Sequence, residues 1–141
     1  MNIVIVFDSQ TGTTQKAAES MSETFGEQGH ECQILSISDA KPAEAAAADL
    51  ICIGSWVKGL FIIRQHPTAG IMNLINRFDD LTGKDVVVFC TYKLAIGSTL
   101  RKMAEPLQAK GANVVGQFKY RGPEPDSNFA SFAASLNRPS V

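Results

Sequence analysis

The chain has 141 residues, of which 45% are apolar and 19% charged, and its formal net charge is −1. That length supports one substantial core and predicts one domain over residues 1–141, while near-neutrality excludes bulk attraction to nucleic acid or to a membrane surface. No apolar run reaches membrane-spanning length, and the three cysteines are widely spaced without a CxxC pair, so the expectation is a cytoplasmic protein with no membrane insertion, disulfide framework or metal site.

Strand and helix patterns alternate along the chain. Ile3–Phe7 is a continuous apolar run, as a strand buried on both faces requires. Gln15–Gln28 carries Ala18, Met21 and Phe25 at helical spacing and stops at Gly29. Cys32–Ile37 reads as the second strand, Ala43–Ala48 after Pro42 as a short helix or turn, and Leu50–Ile53 as a third strand ending at Gly54. A long loop follows, and then Ile71, Leu74, Ile75 and Phe78 mark a helix that ends before Asp79-Asp80. Val86–Cys90 is the fourth strand, Ser98–Lys110 a helix ending at Gly111, and Val114–Phe118 the fifth strand. Gly122–Pro125 reads as a turn before a last helix, Asn128–Asn137. Such alternation predicts an α/β fold, a doubly wound five-stranded parallel sheet of order 2-1-3-4-5 with right-handed crossovers. Ligands of such sheets bind at the carboxyl ends of the strands beside the switch point, so the loops after the first, third and fourth strands should converge.

The first of these loops is Ser9-Gln10-Thr11-Gly12-Thr13-Thr14, between a strand and a helix start. Free backbone N–H groups at a helix N-terminus and the helix dipole favour an anion there, and the hydroxyls add donors. With no Lys or Arg inside, the loop suits a small terminal phosphate, although Ser, Thr and Gly are also ordinary helix caps. The second loop, Gly54–Gly59, contains Ser55, the only Trp (Trp56), Val57, Lys58 and Gly59. The third runs from Thr91 through Tyr92 and Lys93 to Gly97 and contains one of the two Tyr. An aromatic in each of two facing loops, beside a phosphate turn, suits a phosphorylated aromatic cofactor. The cysteines fall in strands, and Cys90 has Ile96 six residues on, where a thiol phosphatase needs an anion-binding Arg.

Over nearly its whole length the chain resembles the flavodoxin family. Ser9-x-Thr11-Gly12-x-Thr14 matches the family's phosphate signature, Gly54-Ser55-Trp56 its inner-face aromatic loop, and Tyr92 the loop whose aromatic covers the outer face. The resemblance implies non-covalent FMN, its phosphate held by the Ser9–Thr14 turn, and electron transfer with redox partner proteins rather than a stand-alone enzyme. The alternative is a small FMN-dependent, two-electron oxidoreductase linked to NAD(P)H or quinones, although no G-x-G-x-x-G dinucleotide fingerprint is present. A phosphorylation-controlled receiver shares the architecture, but Gly54-Ser55-Trp56 stands where its phospho-accepting Asp should be.

Two features depart from the family. Electron-carrying flavodoxins are strongly acidic, whereas here no Asp or Glu lies between Asp49 and Asp79, a stretch that holds Lys58, Arg64, His66 and Arg77. Acids are again absent from Val86 to Ala104, where Lys93, Arg101 and Lys102 occur; these cations would favour a reduced anionic flavin, an acidic partner or an anionic substrate. Second, Val57 follows Trp56 where many carriers have Gly, and a β-branched residue resists the peptide rotation that favours a one-electron-reduced flavin. The apolar run Leu60–Ile63 is expected to anchor its loop on the core, with a substrate crevice or a homodimer contact as the alternatives.

Overall fold

The computed structural model describes residues 1–9, 12–60, 63–93, 95–121 and 126–136. The main sheet comprises β1 (Asn2–Asp8), β2 (Glu31–Ser36), β3 (Leu50–Trp56), β6 (Asp85–Tyr92) and β7 (Asn113–Arg121), all parallel in the order β2-β1-β3-β6-β7. Counting only these five, the order is the expected 2-1-3-4-5. Between β3 and β6 lie β4 (Lys58–Leu60) and β5 (Ile63–His66), which pair as an antiparallel hairpin. The expected long loop is therefore ordered as a second, two-stranded sheet.

The apolar runs of the central strands divide residue by residue between two cores, as the two-residue side-chain period demands. Val4, Val6, Ile51, Ile53, Val88 and Cys90 face one layer of helices: α2 (Pro42–Ala45), α3 (Ala69–Arg77) and α4 (Thr99–Ala109). Ile3, Ile5, Cys52, Val87, Phe89 and Tyr120 face the other: α1 (Thr13–Glu27) and α5 (Phe129–Ser135). Each fully buried Ile, Val or Phe contributes about 1.5–3 kcal/mol relative to exposure, so both faces of the sheet need their helices. Of the helical residues read from the sequence, Ala18, Met21, Phe25, Ile71, Leu74 and Ile75 are all buried. The turn expected at 122–125 and the residues after 136 lie outside the described residues.

Two strands run further than their apolar runs. β3 continues through Gly54 to Trp56, and β6 through Thr91 to Tyr92. Gly54 does not end its strand. Its missing side chain admits the Phe89 ring from β6, whose Cζ would lie 2.1 Å from an added Cβ.

Candidate functional site

At the end of β1, the Gly12 N–H donates to Ser9 Oγ at 2.9 Å, folding the Ser9 side chain back over the turn. Gly12 caps α1 with φ 87°, a left-handed conformation that costs most residues about 1–2 kcal/mol. Its carbonyl accepts the first helical bond, from Lys16 N–H at 3.0 Å. Among the described residues no side chain is bonded as a cap to this helix, its first turn holds no acid, and a Cβ on Gly12 would meet nothing within 4 Å. The result is an open cradle of amides and hydroxyls at the positive end of a helix. Gln10 and Thr11 lie outside the described residues, and Thr13 is half-buried at the helix start.

Thr14 turns inward instead. Its Oγ1 lies 2.7 Å from Thr91 Oγ1, with both side chains buried. The Thr91 carbonyl in turn accepts the Val57 N–H at 3.0 Å. In register, Trp56, Thr91 and Tyr120 form one row across β3, β6 and β7. Because Thr91 faces α1, its row neighbour Trp56 projects to that side too, half-exposed and near the cradle.

Several expected site residues are placed differently from the sequence reading. Ser55 is fully buried; its hydroxyl donates to the Trp56 carbonyl at 2.8 Å and accepts from the Thr68 N–H at 2.9 Å. It therefore supports the strand end from behind. Thr91 and Tyr92 were expected in a loop but are strand residues, because pairing with β7 carries β6 on to the Tyr92–Arg121 pair. Strand alternation then turns the half-buried Tyr92 away from Trp56, to the α3 and α4 side occupied by Cys90. Lys93, just beyond, is exposed.

The hairpin borders this row. Lys58 pairs with His66 across it, and Lys58 Nζ sits 5.4 Å from the Trp56 ring centroid, a cation–π contact. His66 Nδ1 lies 2.7 Å from the Pro67 carbonyl oxygen; since that oxygen only accepts, Nδ1 carries the hydrogen. Gly59 belongs to β4. Of the Leu60–Ile63 run, Leu60 and Ile63 pair across the hairpin, and Phe61 and Ile62 lie outside the described residues. Gly97 has φ 52°, and a Cβ there would stand 2.9 Å from Gln65 Cβ, so the third loop packs closely on β5. Lys102 Nζ adds a bond to the Gln65 carbonyl at 3.2 Å.

The sequence reading missed the support of this site. Thr68 caps α3 by accepting the Ile71 N–H at 3.2 Å, and its hydroxyl donates to Asp8 Oδ2 at the end of β1. Non-local bonds of this kind leave no spacing signal. The thiols offer no chemistry at this end: Cys90 is buried, and burial pushes its pKa up to about 12. Among the described residues, no group of His, Cys, Asp or Glu is arranged to hold a metal ion. Nor is any helix among them long and apolar enough to cross a membrane.

A model of the flavodoxin family matches residues 5–132. The chain belongs to the flavodoxin family. The flavodoxin of Clostridium beijerinckii is 26% identical over 111 residues, covering 79% of either chain. The solution structure of two-electron-reduced Megasphaera elsdenii flavodoxin superposes with a TM-score of 0.76 at 21% identity, over 94% of this chain and 98% of that one. Flavodoxin 2 from Bacillus cereus gives a TM-score of 0.76 at 22% identity, over 96% and 94%. As a flavodoxin the chain is an FMN-binding electron-transfer protein that works with redox partner proteins. Its residues fit that cofactor. The start of α1 at Gly12 is open and carries neutral donors of the kind a phosphate monoester needs, and Trp56 offers an aromatic face on the same side of the sheet.

Proposed function

We propose that residues 9–14 and the first turn of α1 hold the FMN phosphate, and that the flavin ring lies against Trp56. Val57, Lys58 and Gly59 border it on one side, and the Thr91–Gly97 segment on the other. The observation that carries this reading is the open Gly12 turn at the start of α1, joined through the Thr14–Thr91 hydroxyl pair to the strand ends that present Trp56. FMN supplies reversible electron uptake and release through its isoalloxazine ring. The backbone N–H groups at the start of α1 would hydrogen-bond the phosphate without a cation, and Trp56 would orient the ring by stacking. Thr14, Thr91 and Ser55 act behind this surface, since their side chains are buried and bonded to one another or to backbone.

The half-exposed Trp56 leaves the flavin edge within reach of a protein surface, which suits a carrier better than a stand-alone oxidoreductase. Free cysteines at positions 32, 52 and 90 suit a reducing cytoplasm. The whole chain then works as one flavodoxin-like domain. Titrating the apoprotein with FMN and with riboflavin, followed by quenching of flavin fluorescence, tests the assignment. Two or more charge-assisted bonds to the phosphate should make FMN bind at least about a hundredfold more tightly. Equal affinity for the two flavins would remove the phosphate from the α1 terminus.

A further inference from the structure

In a parallel sheet every strand finishes at the same end, and here that end is cationic over β3, β6 and β7. Lys58 follows β3, Lys93 follows β6, and Arg121 closes β7; all three are exposed. None has an ion-pair partner among the described residues, where the salt bridges are Lys41–Glu44 and Arg101–Glu105. Lys102, exposed in the first turn of α4, extends the same rim through its bond to the hairpin carbonyl of Gln65. Among the described residues three carboxylates also lie at this end, and each is engaged locally. Asp8 accepts from the Thr68 hydroxyl, Asp39 from the Ser36 hydroxyl, and Asp126 from the Lys119 and Asn128 N–H groups.

The spacing of the cations says what they suit. A small anion needs donors that converge on one point. Lys58, Lys93 and Arg121 instead stand at the ends of three neighbouring strands, so they are strung over roughly 10 Å. Lys58 is also held over the Trp56 ring, at the border of the proposed flavin edge. A broad acidic face laid across these strand ends would meet all three cations beside the ring. Such complementarity steers encounter and fixes orientation more than it adds affinity.

We propose that the carboxyl ends of β3, β6 and β7 form a docking surface for an acidic redox protein, recognised through Lys58, Lys93 and Arg121. The proposal rests on the FMN reading for its purpose, but its test does not depend on the cofactor. Isotope-labelled protein, apo and FMN-loaded, is titrated with an acidic plant-type ferredoxin while amide chemical shifts are followed. A basic c-type cytochrome serves as the opposite probe and inorganic phosphate as the small-anion probe.

The expected result is ferredoxin-dependent shifts clustered around residues 58, 93 and 121. Affinity should fall about tenfold in the triple variant K58Q/K93Q/R121Q, and again when ionic strength rises from about 20 to 150 mM. R121Q alone, outside the proposed cofactor contacts, should cost about two- to threefold. Far-UV circular dichroism checks that the variants are folded. Shifts elsewhere, an affinity unchanged by the variants, or equal binding of the cytochrome at these residues would overturn the proposal. Phosphate shifting these amides while ferredoxin shifts none would overturn it in favour of a small anion. If FMN fails to bind, the functional assignment falls, and the apoprotein titrations still decide the docking surface.

Discussion

Thr91 should couple the phosphate turn to the strand ends, and the coupling can be measured without cofactor. Replacing Thr91 by Val keeps the shape and the β-branched side chain but strands the Thr14 hydroxyl, which is 0% exposed and 2.7 Å from its partner. An unsatisfied buried hydroxyl costs about 1–3 kcal/mol. Thr14→Val should cost a similar amount for the mirror-image reason. The double variant T14V/T91V replaces both hydroxyls by methyl groups of the same size, so it should be close to wild type in stability. Urea unfolding of the apoprotein, followed by the fluorescence of Trp56, gives all three values. The reasoning requires a coupling of about 1 kcal/mol or more between the two sites. Strictly additive losses, with coupling below about 0.3 kcal/mol, would refute it.

Gly54→Ala should destabilise by about 1–3 kcal/mol, because its Cβ would stand 2.1 Å from Phe89 Cζ; trimming the ring with Phe89→Leu in the same urea assay should recover part of the loss. Stability should fall from about pH 9 towards pH 12. In that window the unfolded Cys90 thiol, near its ordinary value of 9.0, gives up a proton that the folded one keeps until about 12. Burial also raises the pKa of Cys52 and of Tyr120, so Cys90→Ala should remove only its own share of that slope, at most about 1.4 kcal/mol per pH unit. Photoreduction of the FMN-loaded protein should accumulate little one-electron-reduced flavin, because the Val57 N–H is held by the Thr91 carbonyl and Lys58 is paired with His66. Val57→Gly should raise that yield in the visible spectrum; a high yield already in the unmutated protein would contradict the argument.

The five parallel strands were legible because each central one is an apolar run of strand length bounded by polar residues or Gly. The phosphate turn was legible for a similar reason, as its hydroxyls and glycine sit between a strand and a helix start. Strand ends were not. Gly54 reads as a stop, yet it continues β3 because the Phe89 ring of the neighbouring strand occupies its side-chain space. Tyr92 lies beyond the apolar run of β6 and is held in the sheet by pairing with Arg121. The hairpin was hidden because β4 and β5 are three and four residues long, with no alternation to mark them. Ser55 reads as a loop residue with no link to Thr68 or Asp8, and only contacts across 13 and 60 positions reveal the brace the three form.

Thr91 uses two directions of a strand residue at once: its hydroxyl points out of the sheet to α1, and its carbonyl points along the sheet to Val57. Three distant stretches of chain are thereby pinned at one residue. Beyond that pin, the hairpin and the segment after Lys93 meet each other at Gln65 and Gly97, while Lys58 and Lys93 stay exposed. Substitutions at these exposed positions leave the pinned frame untouched. The fold thus separates a part that must keep its shape from a part that is free to diverge, and the boundary between them falls within two residues of Thr91.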